Sequence, residues 1–407
     1  MSVSPAPLDP RLIANRPGIK GAARDLGRKV TQGEVGNIPV VVALLGVWIY
    51  FYLSNHKFIS AGNLTNLMLQ LAAGGTIAIG VVLVLLLGEI DLSVGSISGF
   101  AAAVMVVLNL RHGWPAWFSI AAALLVGGLV GLVQGFWVTR IRVPAFIVTL
   151  AGQLALTGAL LAVLGKTGSI YLTNQTIISL GQTFYSDTTS WIVAIALAGV
   201  YVAFSLRDRA KRRAAGLVAP VRNIVFRMTM VLGGVFVATF VFVLDRGLPL
   251  VVMIFIGLVL IVDIVLRRTP FGRHVFAVGG NAEAARRAGI NVKQIKLTIF
   301  IVASMLAAAG GVLAAARGTS VNQSSGQGTV LLYAVGAAVI GGTSLFGGRG
   351  SAWAALLGYL VIQSVDNGMA LLNKSTNVRY IVTGAVLLVA VTVDAVARRG
   401  RTSAGRA

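Results

Sequence analysis

The chain of 407 residues contains no cysteine, which excludes disulfide bonds and thiolate metal sites. Histidine occurs only as His56, His112 and His274, and this spacing does not form a metal-binding pattern. No group of residues has the spacing of a catalytic constellation. We therefore predict that the chain is not an enzyme, with no catalytic residues and no metal site.

A phosphate-binding loop is also lacking. Gly165, Lys166 and Thr167 resemble the end of such a motif, but position 160 is Leu where the motif requires Gly. We therefore predict that the chain binds no nucleotide or other cofactor of its own.

Charged residues are scarce as well. They make up 11% of the chain, against about 25% in soluble domains, while hydrophobic residues make up 57%. The 49 glycines allow membrane helices to approach one another closely. This composition predicts an all-α polytopic membrane protein, built as a compact helix bundle in the lipid bilayer.

The few charges are mostly positive, with 34 Lys and Arg against 12 Asp and Glu. In a soluble protein this excess would indicate nucleic-acid binding. Here most of the basic residues lie in short segments close to the ends of apolar runs, as the positive-inside rule describes. We therefore expect contact with anionic lipid headgroups and no nucleic-acid partner.

Twelve apolar segments approach the ~20 residues that cross a bilayer. They are residues 38–54, 70–88, 92–110, 117–138, 144–164, 190–206, 224–244, 248–266, 296–316, 331–346, 351–372 and 377–396. An even number places both termini in the cytoplasm. Because several segments are short enough to be re-entrant, we expect 10 to 12 crossings. The predicted parts are a basic cytoplasmic segment 1–37, a transmembrane domain 38–396 and a cytoplasmic tail 397–407.

A polar segment, residues 267–296, separates two of these apolar runs and carries seven Lys or Arg. Such a segment belongs on the cytoplasmic face. Within it, a short helix-forming run ends at a glycine, which predicts a small surface helix that contacts a cytoplasmic protein. The residues that we assign to this contact are Asn281, Glu283, Ala284, Arg286, Arg287 and Gly289.

Two glycine-rich junctions resemble each other, residues 88–95 and residues 341–348, with Gly, Leu and Gly at matching offsets. Each follows one apolar run and opens the next. Transporters often contain duplicated halves with broken helices whose free backbone groups line a polar cavity. We therefore expect broken helices at both places.

Polar side chains in or beside the apolar runs are candidates for a substrate pathway or gate, because burying them in lipid is costly. The alternative for Asp91 is to cap the following helix, and for the others it is hydrogen bonding between helices. Neutral hydrogen-bonding groups suit an uncharged polyhydroxylated solute. The candidates are Glu89, Asp91, Gln134, Thr149, Gln153, Gln363, Asp366 and Asn367.

Five stretches taken together resemble the permease subunits of bacterial monosaccharide ABC importers, those for ribose, galactose and xylose. The stretches are residues 88–96, 142–150, 270–290, 341–345 and 366–369. An extra basic loop and apolar segment at residues 206–248 departs from the shorter ribose-type permeases. With this insert, the length of the chain is most similar to that of the xylose permeases. The expected substrate is therefore a pentose such as xylose.

The resemblance implies a mechanism and a set of partners. Two permease copies would form the pathway in the bacterial inner membrane, and an extracytoplasmic binding protein would deliver the sugar. A cytoplasmic ATPase dimer would hold and hydrolyse ATP while it grips residues 283–290.

An ion-coupled secondary transporter of a small polar solute is the alternative hypothesis, with Asp366 as a proton carrier. Two features count against it. The polar segment lies between the eighth and ninth apolar runs rather than at a midpoint, and the junction after the second run reads Gly-Glu-Ile-Asp in place of a basic Gly-Arg motif.

Overall fold

The structure is a computed structural model that describes residues 38–214 and 221–403. The predicted segment 1–37 and the end of the predicted tail, residues 404–407, lie outside the described residues. The start of that tail is helical, because the last helix continues to Ser403.

Helices account for nearly all of the described residues, and the strands have only two or three residues each. The helices are α1 (Ile38–Ser54), α2 (Ala61–Leu86), α3 (Val94–Leu110), α4 (Ala116–Phe136), α5 (Ala145–Leu164), α6 (Gln175–Gln182), α7 (Asp187–Ala214), α8 (Val221–Val243), α9 (Leu250–Arg268), α10 (Pro270–Gly280), α11 (Ala282–Arg287), α12 (Val292–Gly318), α13 (Thr329–Ile340), α14 (Trp353–Leu371) and α15 (Thr376–Ser403). The strands are β1 (Ser169–Tyr171), β2 (Phe184–Tyr185), β3 (Leu248–Pro249) and β4 (Ser320–Asn322). Short 3-10 turns occupy His56–Ile59 and Gly165–Thr167, and a π-helical turn, Trp137–Ile141, extends α4.

The prediction of an all-α membrane protein is confirmed, because a helix lies in each of the twelve apolar segments. Among the described residues, seven helices are long and apolar enough to cross a bilayer, and five apolar helices are shorter. The shortest of these, α13, has 12 residues and rises only about 18 Å, against about 30 Å of hydrocarbon. The number of crossings stays a prediction.

The centre of the bundle is formed by α2 and α12, whose apolar stretches are mostly buried within the protein. The two helices pack backbone to backbone. A Cβ added to Gly80 would lie 2.7 Å from the Ala303 carbonyl oxygen, and one added to Gly310 would lie 2.8 Å from that of Ala73. Lipid provides no hydrophobic driving force between helices, so this close packing is what holds the pair together.

The other helices surround this pair. Both α3 and α4 pack against α12, and α5 packs against α3, while α9, α13 and α14 pack against α2. Gly127 and Gly131 of α4 meet the backbone of α12 directly. The small residues therefore mark the contact faces, as expected for membrane helices.

The extra segment at residues 206–248 belongs to a helical hairpin of α7 and α8 at the edge of the bundle. The Trp191 and Phe236 rings stack across the hairpin with their centroids 6.1 Å apart. The large apolar side chains of both helices are mostly exposed, which suits a lipid-facing hairpin. At its basic tip, Asp208 binds Arg268 at the end of α9, with an oxygen–nitrogen distance of 2.9 Å.

The loops gather at two ends of the bundle. We call one the basic end; it comprises residues 87–93, 137–144, 208–214, 267–296 and 341–352. The opposite end contains the two small antiparallel sheets, β1 with β4 and β2 with β3. Arg111 also bonds the Leu164 carbonyl oxygen there at 2.7 Å. This grouping agrees with the predicted alternation of the loops. It also shows short paired strands inside loops where we expected no strands.

Substitution of Gly131 tests the close packing of α4 against α12. A Cβ at this position would lie 2.4 Å from the Phe300 carbonyl oxygen, so Gly131→Ala should lower the free energy of unfolding by about 1–3 kcal/mol. Gly257→Ala is the matched control, because nothing lies within 4 Å of its added Cβ. Thermal unfolding in detergent should separate the two variants, and equal stability of both would refute the packing argument.

Candidate coupling surface and transport pathway

The predicted surface helix is present as α11, and local sequence fixes both of its ends. The Asn281 side chain accepts a hydrogen bond from the Ala284 backbone nitrogen at 2.9 Å and caps the first turn. Gly289 has φ +84°, a left-handed conformation that suits glycine, and follows the last turn. Ala285 is buried and anchors the helix to the bundle.

The outer surface of α11 is charged and open to solvent. Glu283 bonds Arg286 at 2.8 Å and Arg287 at 3.2 Å, and all three side chains are more than half exposed. The hydrogen bonds from Arg286, and secondarily from Arg287, hold the pKa of Glu283 below its usual value, so this carboxylate remains charged at neutral pH. All six residues assigned to partner contact, Asn281, Glu283, Ala284, Arg286, Arg287 and Gly289, are exposed.

Behind α11, backbone contacts join the polar segment 267–296 to the two glycine-rich loops, residues 88–95 and 341–348. The Gly348 nitrogen donates to the Leu86 carbonyl oxygen at 2.9 Å. A Cβ on Gly279 would lie 1.7 Å from that same oxygen, and one on Gly347 would lie 2.8 Å from the Gly88 nitrogen. We call this meeting of Gly88, Gly279, Gly347 and Gly348 the glycine junction. It leaves no space for larger residues, so α10 lies in close backbone contact with both junction loops.

An ion pair reinforces the same connection. Glu89, on the loop between α2 and α3, binds Lys296 near the start of α12, and both side chains are about one-fifth exposed. The structure therefore places Glu89 against the segment that carries α11 rather than among the other pathway candidates.

Three of the predicted pathway residues do meet. The Thr149 hydroxyl accepts from the Leu92 backbone nitrogen at 3.1 Å, and the Gln134 amide donates to the Ser93 hydroxyl at 2.9 Å. Ser93 in turn donates its hydroxyl to Asp91 at 2.6 Å. This cluster joins the start of α3 to α4 and α5.

Asp91 is almost fully buried within that cluster. One carboxyl oxygen accepts from the Ser93 nitrogen and hydroxyl, and the other has no hydrogen-bond partner among the described residues. Burial raises the pKa of Asp91, and the two hydrogen bonds from Ser93 oppose this rise. These hydrogen bonds stabilise the turn from Asp91 to Ser93, which lies just before α3. The contact is more local than the predicted cap of that helix.

A second polar group continues along α5. Ser96 and Thr157 lie 3.2 Å apart through their hydroxyl oxygens, and the Gln327 amide donates to Thr157 at 3.0 Å. Gln153 lies one turn from both Thr149 and Thr157 on α5 and is half-buried. Gln327 arrives on a re-entrant loop, because Gly326 packs against the backbone of Gly95 and Gly99 within α3.

The remaining candidates lie on α14 and bond other helices. Gln363 bonds Gln70 at 2.6 Å, and Asn367 accepts from Asn63 at 3.0 Å, which ties α14 to α2. Asp366 accepts hydrogen bonds from Arg379 of α15 at 2.7 and 2.8 Å. These contacts correspond to the structural alternative for each residue, and a transport role for them stays a prediction.

The eight pathway candidates thus fall into four places: beside Lys296, in the cluster around Asp91, in the second group along α5, and on α14. Sequence reasoning missed Ser93, Ser96, Thr157, Lys296 and Gln327, which complete these networks. Gln327 could have been found from the sequence, because it lies in the polar loop before α13. Nothing in the sequence pointed to Lys296 except its position at the edge of an apolar run.

Comparison with known proteins adds a family. Residues 63–391 match the family described as branched-chain amino acid transport system / permease component. No solved structure matches the chain.

Individual relatives are sugar permeases by name. The chain is 36% identical over 363 residues to the xylose transport system permease protein of Escherichia coli (strain K12), covering 88% of this chain and 92% of the relative. It is 32% identical over 341 residues to the ribose import permease protein of the same strain, covering 83% and 87%. It is 29% identical over 357 residues to the fructose import permease protein of Rhizobium meliloti, covering 88% and 84%.

A double-mutant cycle on Asp366 and Arg379 tests the structural assignment. We expect Asp366→Asn and Arg379→Gln each to destabilise the protein, and the pair to show a coupling energy of about 1–2 kcal/mol. Thermal unfolding of the four proteins in detergent provides the measurement. Zero coupling, with transport lost in a fully stable Asp366→Asn variant, would instead assign Asp366 to transport.

Proposed function

This chain belongs to the family of transport-system permease components, and from that premise we propose that it forms the membrane pathway of an ATP-driven sugar importer. It is a permease subunit and not itself an enzyme. The observation that carries the proposal is the exposed α11, which is capped at both ends and follows directly on α10, the helix in close backbone contact with both junction loops. Such an arrangement suits a permease whose conformational change is driven by a separate ATPase subunit.

The proposed coupling runs through the glycine junction. A cytoplasmic ATPase would bind the charged surface of α11 and displace α10 and α11 together during its ATP cycle. Because Gly279 touches the Leu86 carbonyl oxygen and Lys296 binds Glu89, this displacement would move the loops that open α3 and α14. The loop before α3 also carries Asp91 and Ser93, so the same movement would reach the polar cluster with Gln134 and Thr149.

The proposed pathway follows α5. Its polar side carries Thr149, Gln153 and Thr157, which are neutral hydrogen-bonding groups that suit the hydroxyls of a sugar. Its apolar side exposes Leu150, Leu154 and Leu161. An exposed helix that also carries polar groups suits an interface between two copies of the chain, so we assign the pathway to a homodimer centred on α5.

The remaining partners follow from the two ends of the bundle. The inner-membrane permease family implies an ATPase and a substrate-binding protein. We place the basic end and both termini in the cytoplasm, since Lys and Arg favour that side. The opposite end, with its two small sheets, would then receive the extracytoplasmic binding protein.

Xylose is the proposed substrate. The chain resembles xylose permeases in sequence over nearly their whole length, and the α7–α8 hairpin accounts for the extra length that suggested them. The alternative, ion-coupled transport with Asp366 as the proton carrier, has less support because Asp366 is paired with Arg379.

Reconstitution tests the proposed function. The permease should be copurified with its ATPase and binding protein, placed in liposomes and supplied with ATP and labelled xylose, ribose or fructose. We expect uptake that requires ATP, survives a protonophore and is greatest for xylose. Uptake that needs no ATPase and stops when the proton gradient is collapsed would support the ion-coupled alternative. A preference for ribose or fructose would reassign the transported sugar.

Bulky substitutions on α11 test the coupling surface. Ala284→Trp and Gly289→Trp should reduce sugar-stimulated ATP hydrolysis and uptake at least about tenfold, because each places a large side chain where the ATPase would bind, and loss of about 1.4 kcal/mol suffices for that factor. Ala284→Trp is the cleaner variant, since the left-handed φ of Gly289 adds backbone strain.

Ala196→Trp, at an exposed position in the middle of α7 on the lipid-facing hairpin, is the matched control and should leave both activities unchanged. Folding of each variant is checked by its melting temperature. Full activity in Ala284→Trp and Gly289→Trp would show that α11 is not the coupling surface.

A further inference from the structure

A polar cleft of about 260 Å³ opens at the basic end, between the end of α9 and the start of α14, and neither the coupling surface nor the sugar pathway uses it. Its walls are Arg267, Gly341, Gly342, Gly350 and Ser351. The walls therefore combine one guanidinium, one hydroxyl and backbone groups, with no acidic side chain among them.

Arg267 brings positive charge to this cleft. Its Nε contacts Asp263 one turn earlier on α9 at 2.7 Å. Its two terminal nitrogens have no acceptor among the described residues, and the side chain is half-exposed. Asp263 thus lies beside the guanidinium as an ion-pair partner, while the terminal N–H groups remain open to a ligand.

The start of α14 adds donors. The first N–H groups of a helix carry partial positive charge. At the start of α14 the Ala354 and Ala355 nitrogens donate back to the Ser351 and Ala352 carbonyl oxygens at 3.0 and 3.2 Å, so among the described residues the N–H groups left for a ligand are those of Ala352 and Trp353. Ser351 lies at this start, and Gly350 leaves it unshielded by any side chain. Gly341 lies so close that an added Cβ would be 2.0 Å from the Ala354 carbonyl oxygen, which brings the 341–342 backbone against the first turn.

An independent observation concerns Thr343. Its side chain is 1% exposed, and its hydroxyl has no hydrogen-bond partner among the described residues. The Thr343 side chain lies beside Gly350, since an added Cβ there would lie 2.9 Å from both its hydroxyl oxygen and its methyl carbon. A buried hydroxyl without a partner is costly. It lies behind Gly350, one of the three glycines in the wall of the cleft.

We propose that this cleft binds a phosphoryl group. A guanidinium, a hydroxyl and helix N-terminal N–H groups together are the donors that tetrahedral oxyanions use in proteins. The group has two possible sources, the headgroup of an inner-leaflet phospholipid or a soluble phosphate ester. Ile264, one turn before Arg267, and Ile261 are exposed apolar residues of α9, so an acyl chain attached to the group would have a surface to follow.

Occupancy would stabilise the glycine junction. The same 341–350 loop contributes Gly348, which bonds the Leu86 carbonyl oxygen and packs against Gly280 of α10. A ligand that joins α9 to this loop therefore braces the segment that carries α11, independently of which sugar is transported.

The test is the melting temperature of the full-length permease in detergent. Inorganic phosphate is titrated at constant ionic strength, and separately dioleoylphosphatidylglycerol is compared with dioleoylglycerol, which has no phosphoryl group. We expect a saturable rise in melting temperature with at least one of the two phosphoryl probes. A response to phosphate assigns a soluble ester, and a response to the phospholipid alone assigns a headgroup.

Amino-acid substitutions test whether the rise in melting temperature comes from binding in this cleft. Arg267→Gln should weaken the apparent affinity at least about tenfold, the factor expected for one lost charge-assisted hydrogen bond. Arg273→Gln, on α10 outside the cleft, should respond as the wild type does. If Arg267→Gln does not fold, Ser351→Glu decides, since a carboxylate at a helix start is tolerated and would repel the anion. No response in the wild type, or an equal response in the cleft variants, would overturn the proposal.

Discussion

Close contact between the backbones of α2 and α12 is the constraint on which the rest of the structure depends. Between membrane helices, attraction comes from van der Waals contact and hydrogen bonds, and both require near approach. Gly80 against Ala303 and Gly310 against Ala73 provide that approach. With this pair fixed, α3 and α4 are positioned on one side and α13 and α14 on another. The ends of the broken helices then meet at the basic end, where the glycine junction repeats the same principle.

The proposed coupling assigns different roles to two parts of the structure, a rigid core and a short element that a partner drives. Polar groups within the bundle mostly bond one another, as Gln363 does with Gln70 and Asp366 with Arg379, and they hold helices in place. In contrast, α11 is anchored by the buried Ala285 and the half-buried Ala282, and its other residues are exposed. A permease without its own source of energy needs both properties. Its core must keep its shape while one short element takes up force from a partner.

Hydrophobicity and helix-end chemistry predicted much of this architecture. The twelve apolar runs all became helices, and the Asn281 and Gly289 signals located α11. Boundaries were wrong where polar residues lie inside a helix. The run from residue 70 is part of a helix that starts at Ala61, because Asn63 and Gln70 are satisfied by Asn367 and Gln363. The run to residue 346 ends early, because Gly341 and Gly342 terminate α13 at Ile340.

The sequence alone did not predict which residues bond each other across the bundle. Glu89 and Lys296 are 207 positions apart, and nothing local links them. The Gln327–Thr157 bond depends on a re-entrant loop whose glycines fit against α3, and the two small sheets pair strands of only two or three residues. Such contacts follow from how the helices stack, which the pattern of apolar residues does not encode.

The most direct test of the account uses the absence of cysteine, which lets a single one be introduced as a label site. Ala284→Cys in α11 should react with a membrane-impermeant maleimide in inside-out vesicles and not in right-side-out vesicles. Added ATPase subunit should protect it, while Lys57→Cys should show the reverse sidedness and no protection. Labelling of Ala284→Cys from the outside, or unchanged labelling in the presence of the ATPase, would contradict the claim that α11 is the cytoplasmic surface through which the permease is driven.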